Sequence, residues 1–326
     1  MNPFRPGGLW RNRHVQSILP SILPRRALMA FSRPVREASR EWIIECSDGV
    51  RLQAFHSAPP RPGGKLAVLL HGWEGSVDSR YVLTLAQQLF DAGVDVLRLN
   101  LRDHGDTHHL NEGIFHSCRL PEVVDAIAAV SQRWPEHQRW LIGFSLGGNF
   151  MLRVAASGDA RIGTLAGVIA ISPVLDPGRT LTAMERGLPI YQRYFVRKWA
   201  SSLRRKQRAW SGRHEFGDLL HWGDLRRMTA ALVALHTDYP SMENYLAGYS
   251  IIGERLESLA APAVIIASKD DPIIPAEDLA RLARNPLLTI MAMERGGHMG
   301  FMTSVFRRPW VNGWILERMG LRASTR

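Results

Sequence analysis

The stretch Gly143-Phe144-Ser145-Leu146-Gly147 holds one hydroxyl between two glycines. A serine hydroxyl is a poor nucleophile by itself. It needs a base to take its proton, an acid to orient that base, and donors for the charge that develops on the attacked oxygen. The G-x-S-x-G spacing is the one that sets a serine on a sharp, strained turn between a strand and a helix, with its oxygen in the open. A helix starting directly after the serine would turn its positive end toward that charge. A glycine-rich strand-to-helix turn also serves plain tight packing, so the pattern gains its weight from what stands elsewhere in the chain.

The base is expected to be His298, in "ERGGHMGF", where two glycines make a turn able to aim an imidazole at Ser145. The acid is expected in "ASKDDPIIP", where Asp270 and Asp271 are adjacent and either could hold the ring. An oxyanion hole needs two backbone N–H groups. One is expected from Leu146, just after the serine, and the other from Trp73 in "HGWEGS". His71 is expected to shape that loop and not to act as the base.

These residues need elements to hold them. "EWIIEC" and "VRLQAFHS" predict an antiparallel hairpin around "SDG". "LAVLL" at 66–70 is a continuous apolar run, as expected of a strand buried on both faces. From there strands and helices alternate. Helix "SRYVLTLAQQLFDAG", strand "VDVLRLN", helix "PEVVDAIAAVSQRW", strand "RWLIGF", helix "LGGNFMLRVAAS" and strand "LAGVIAIS" follow in turn. The rhythm stops near residue 173. It resumes near 259 with "PAVIIAS", a helix at "AEDLARLAR", strand "LLTIMAM" and a last helix around "RPWVNGWILERMG". This predicts an α/β fold with a mostly parallel, doubly wound sheet. Residues 1–40 read as an irregular Arg- and Pro-rich extension, 41–173 and 259–326 as two parts of one core, and 174–258 as an insert between them. Doubly wound sheets place their sites beyond the carboxyl ends of strands. His71-Gly72-Trp73, the loop after Asn100, Ser145, Asp270-Asp271 and His298 all fall there.

The chain has 326 residues, 45% of them hydrophobic and 22% charged, enough for a sizeable core. Cys46 and Cys118 make no disulfide framework and suit a reducing compartment. The start has no apolar run of signal-peptide length, and the longest apolar stretches are too short to span a bilayer. A cytoplasmic protein is expected. A formal charge of +11 can mark nucleic acid or anionic membrane as a partner. No zinc-finger spacing, RNP pattern or P-loop supports nucleic acid, so a solvated Arg-rich surface is the preferred reading.

"NRHVQSILPSILPRR", "HGWEGSVDSRYV", "RLNLRDHGDT", "GFSLGGN" and "SKDDPIIP…GGHMGF" run through nearly the whole chain. With these marks the chain resembles the α/β-hydrolase superfamily, and within it the YheT-like branch that includes ABHD-type esterases and lipases. The chain order Ser, Asp, His agrees. The resemblance implies Ser145, Asp271 and His298 as a triad, with Asp271 preferred because it stands four residues before Pro275. It also implies hydrolysis of carboxylic esters, of small-molecule or lipid type, with no metal or organic cofactor. The loop "LRDHGDTHHLNEGIFHS" departs from the pattern. Its His104, His108, His109 and His116 invite a metal reading, but their spacing suits no single helix face, and a polar loop at the mouth of the site is expected instead. The resemblance implies a helical cap over 174–258, and this insert, with "YQRYFVRKWASSLRRKQRAW", is expected to form a lid over the cleft in preference to a peripheral membrane contact. An acyltransferase or thioesterase on the same triad, and a non-catalytic lipid-binding protein, are the alternatives.

Overall fold

The computed structural model describes residues 4–22, 25–305 and 307–321. The chain opens with helices α1 (Arg13–Ile22), α2 (Arg25–Phe31) and α3 (Arg33–Glu37), so the extension expected to be irregular is largely helical. Its Arg-rich composition hides this. These helices pack on partners far along the chain, α2 and α3 on α4 and α1 on the segment near Met302, and local periodicity is a poor guide to such short helices.

The hairpin follows as β1 (Ser39–Glu45) and β2 (Arg51–Ser57), with Ser39 opposite Ser57 and the turn carried by Asp48 in the left-handed region (φ 56°). Then come β3 (Lys65–Leu70), α4 (Arg80–Asp91), β4 (Asp95–Leu99), α5 (Leu120–Arg133), β5 (Gln138–Phe144), α6 (Leu146–Ala155) and β6 (Gly167–Ile171). Helices α7 (Pro177–Arg186), α8 (Pro189–Ala209), α9 (Leu225–His236) and α10 (Met242–Gly248) separate β6 from β7 (Ala263–Ser268). The chain closes with β8 (Leu288–Met293) and α11 (Trp310–Arg318). The helix expected over 276–284 is only a 3-10 turn, Ala276–Arg281.

The eight strands lie in one sheet, in the order β1-β2-β4-β3-β5-β6-β7-β8. Strand β2 runs antiparallel to both its neighbours, β1 and β4, and every other pair is parallel. The apolar runs split between two cores by the strand period of two. From β3, Leu66, Val68 and Leu70 join the core under α5 and α6. Ala67 and Leu69 join the one under α4 and α11.

The four helices between β6 and β7 carry local start signals. Asp176, Asp224 and Ser241 cap α7, α9 and α10 by accepting the N–H groups of Arg179, Arg227 and Asn244. Each such cap is worth about 1 kcal/mol. Helix α8 has Pro189 in its first turn, where a missing N–H costs nothing. Its Tyr191, Trp199, Leu203 and Lys206 turn inward, while Arg193, Arg197 and Arg204 face water. Among the described residues no helix is long and apolar enough to cross a membrane.

Candidate active site

Ser145 stands between the last residue of β5 and the first of α6, with φ 51° and ψ −118°. Few non-glycine residues adopt that backbone, and it persists only where the surroundings enforce it. Here the Ser145 N–H donates to the Ile171 carbonyl (2.8 Å) and its own carbonyl accepts from Asn149 N–H (3.1 Å). The flanking glycines are steric necessities. A Cβ on Gly143 would fall onto the Gly147 carbonyl, and one on Gly147 onto the carbonyl oxygens of Leu70 and His71. The turn is thus tight because α6 begins directly against the ends of β3 and β5.

His298 lies beyond β8. Its Nε2 is 3.1 Å from Ser145 Oγ and its Nδ1 is 2.9 Å from Asp271 Oδ2. A carboxylate can only accept, so Nδ1 carries the proton and Nε2 is free to accept from the serine hydroxyl. The other Asp271 oxygen accepts the N–H groups of Ile273 (2.8 Å) and Ile274 (3.0 Å), which fixes the carboxylate plane. Asp270, the open alternative, is engaged elsewhere, with its Oδ1 accepting Gly297 N–H at 2.9 Å. One carboxylate holds the ring and its neighbour holds the turn that carries the ring. Both the Ser145 and His298 positions, and the acid between them, come together from strands β5, β7 and β8.

The loop after β3 lies against the serine. A Cβ on Gly72 would be 3.2 Å from Ser145 Cβ. Among the described residues neither Trp73 N–H nor Leu146 N–H has a hydrogen-bond acceptor. His71 is fully buried. Its Nδ1–H donates to Gly72 O (2.7 Å) and its Nε2 accepts Leu101 N–H (3.2 Å). Burial lowers its pKa to about 4, so it is a neutral brace for the loop. Tyr81, which the sequence did not signal, supports the same loop by accepting Gly72 N–H at 3.0 Å.

Helix α8 roofs this loop. The Trp73 ring stacks on Phe195 (5.2 Å, 11°) and meets Trp199 edge-on (5.2 Å, 71°). The His-rich loop is partly buried against α8. His104 and His108 are buried, and His108 meets Ser202 of α8 at 2.9 Å. Lys206 of α8 is buried in this loop, donating to Asp103 Oδ1 (2.8 Å), Asn111 O (2.5 Å) and Gly113 O (3.0 Å). Glu74 sits in the left-handed region (φ 56°) next to Trp73 and faces a small cavity with Asp103, His104, Ser202 and Lys206. Burial pushes its carboxyl up to about 8, against the pull of Lys198 and Arg205. Neither Glu74 nor Lys206 was foreseen, because charged residues usually stay in water. Among the described residues no three His, Cys, Asp or Glu side chains converge as a metal site would need.

Such a serine elbow at the head of a doubly wound sheet defines a class of protein, and the comparisons agree. The alpha/beta hydrolase family profile matches residues 67–308, about three quarters of the chain, and the chain belongs to that family. Its curated relatives set it in the YheT/ABHD-type branch. It is 24% identical to YheT of Escherichia coli (strain K12), named as a candidate esterase, over 97% of this chain and 91% of that one. It is 22% identical to protein abhd-3.2 of Caenorhabditis elegans, over 73% of this chain and 64% of the other. Among solved structures, the Pyrococcus furiosus esterase Pf2001 matches with a TM-score of 0.58 at 16% identity, covering 86% of this chain and 90% of that one. Est1E from Butyrivibrio proteoclasticus matches at 0.51 and 17%, covering 86% and 99%. These likenesses establish the α/β-hydrolase fold.

Proposed function

We propose that the protein is a serine hydrolase of carboxylic esters. The single observation that carries this reading is His298, hydrogen-bonded at one nitrogen to Ser145 (3.1 Å) and at the other to Asp271 (2.9 Å). In the proposed cycle Ser145 Oγ attacks the ester carbonyl while His298 Nε2 takes its proton. Asp271 keeps the ring in the required tautomer and stabilises the imidazolium. The N–H groups of Trp73 and Leu146 receive the oxyanion, helped by the amino end of α6. Collapse of the tetrahedral species breaks the ester C–O bond, and His298 returns the proton to the departing alcohol. Water, deprotonated by the same nitrogen, then releases the acid and restores Ser145. No step calls on a metal or an organic cofactor.

Residues 174–258 serve in this reading as the cap. The aromatic face of Trp73, Phe195 and Trp199 suits an apolar ester, small or lipid-like, more than a charged one. The esterase names of relatives in both comparisons support the substrate class. The test is a series of p-nitrophenyl esters of rising acyl length with wild type and Ser145→Ala. Wild-type turnover, lowered at least about a thousandfold in the variant, is expected. Equal rates in the two proteins would refute the reading. The acyl length preferred would size the space under the cap.

A further inference from the structure

We propose that Gln16 and Ser17, in the N-terminal helix α1, are positioning residues for His298, an inference that rests on the esterase reading. The His298 turn is strained and is held in shape from outside. Met299 (φ 61°) and Phe301 (φ 46°) both take left-handed backbone, which non-glycine residues keep only when their surroundings impose it. On its inner side the turn is tied to the sheet. Asp270 accepts Gly297 N–H, Ser268 Oγ donates to Gly297 O (2.7 Å), and Ser172 Oγ accepts Met299 N–H (3.2 Å).

Helix α1 closes the outer side. The N–H of His298 itself donates to Ser17 Oγ at 2.8 Å. That hydroxyl's own proton is committed to Arg13 O (2.7 Å), so its lone pairs face the histidine. Gln16 is fully buried. Its Oε1 accepts Met302 N–H (2.9 Å), and its Nε2 donates to Met302 O (2.8 Å) and Trp10 O (2.7 Å). The side chain thus pairs with both backbone groups of a residue 286 positions away, as a strand would. The contact is close enough to dictate glycine in the turn. A Cβ on Gly297 would be 2.7 Å from Gln16 Cβ and Ser17 Oγ, and one on Gly300 would be 2.6 Å from Gln16 Oε1. The second and third glycines of "GGHMG" are therefore there for α1, and not only for a flexible turn. A shift of the ring by 1 Å is enough to impair proton transfer from Ser145. The same helix also reaches the first turn of α8, where His14 Nδ1 lies 2.9 Å from the Tyr191 hydroxyl.

The experiment compares wild type, Ser17→Ala, Ser17→Thr and Gln16→Glu, with Ser145→Ala and His298→Ala as controls. It reads kcat and KM on a p-nitrophenyl ester and the rate of labelling by a fluorophosphonate. Ser17 is partly exposed, so its alanine variant is expected to fold even if the Gln16 variant does not. Loss of one neutral acceptor predicts a fall of about five- to tenfold in kcat and labelling rate, with KM unchanged. Ser17→Thr, which restores the hydroxyl, should recover both. Gln16→Glu keeps the acceptor for Met302 N–H but loses two donors, and should fall at least as far. Wild-type rates in Ser17→Ala and Gln16→Glu, with both controls dead, would overturn the proposal and leave the triad standing. A drop only in the fraction of protein labelled, at unchanged rate per labelled site, would mark a purely structural role and overturn it too. A wild type without Ser145-dependent turnover or labelling would remove the esterase reading and this proposal with it.

Discussion

Two neighbouring carboxylates receive the His298 turn, and their oxygens are spent differently. Asp271 faces the ring with one oxygen and two backbone N–H groups with the other, whereas Asp270 meets the backbone of Gly297. Substitution by Asn separates the roles. Asp271→Asn keeps the volume but offers the ring an amide that can donate, which favours the wrong tautomer. Its kcat is expected to fall by about ten-thousandfold with the fold retained. Asp270→Asn still presents an oxygen to Gly297 N–H, and a loss of about tenfold or less is expected. Steady-state kinetics on one ester decides this, and the reverse ranking would transfer the acid role to Asp270. Gly147 gives a second residue-scale expectation. An alanine there meets carbonyl oxygens of β3 that cannot retreat without moving the Trp73 loop. Gly147→Ala should therefore lose both melting temperature and activity, by about 3 kcal/mol in stability, the upper end for overpacking, because the obstacle is backbone. An alanine variant that melts and turns over as wild type would refute the steric account of the elbow.

At the scale of elements, α8 is anchored to the core at its far end by a buried ion pair. Lys206 is 1% exposed and pairs with Asp103, itself in the left-handed region (φ 58°). Removing one partner of such a pair leaves a buried charge uncompensated, at a cost of about 3–5 kcal/mol. Lys206→Met is expected to lower the melting temperature by roughly 5–10 °C. The double change with Asp103→Asn should cost less than the sum of the two, because the orphaned charge is gone. Strict additivity in calorimetry would deny the coupling. Strands β3, β6 and β7 were legible because their apolar runs are continuous, β4 and β5 because they alternate with helical segments, and the elbow because its glycines and serine share one short motif. That the insert holding α8 is helical was implied by the family resemblance and not by its spacing. That its lysine is buried was not, since the acceptors belong to a loop about a hundred residues earlier. Helix α1 was missed for a related reason. "NRHVQS" was visible as a mark of the family, yet Gln16 acquires its meaning only from Met302, which no local pattern reveals.

Across the whole molecule, buried titrating groups of opposite sign set how stability depends on pH. His71, His108 and His116 are held neutral, with pKa values lowered to about 4, 3 and 3, mainly by burial. Between those values and their ordinary value near 6.5 the unfolded chain binds more protons, so their contribution is lost as pH falls below about 6.5. Glu74 works in the other direction. Its folded pKa of about 8 exceeds the usual carboxylate value, so the folded chain binds the extra proton. Its contribution is present at low pH and fades as pH rises from about 4.5 to 8. Between pH 4.5 and 6.5 the two effects oppose each other, but three histidines outweigh one carboxyl, so the wild type should still lose stability as pH falls through this range, about a third less steeply than the histidines alone would make it. Glu74→Gln removes the acid while keeping the shape. Its melting temperature relative to wild type should be highest at pH 9 and decline steadily toward pH 5, a swing of no more than about 4 kcal/mol in stability. The position of Glu74 beside Lys198, Arg205 and Asp103 means that salt should shrink the swing only modestly, since burial and not surface charge is its main cause. Parallel melting curves for the two proteins over this range would show that the carboxyl beside Trp73 is ionised in the folded state.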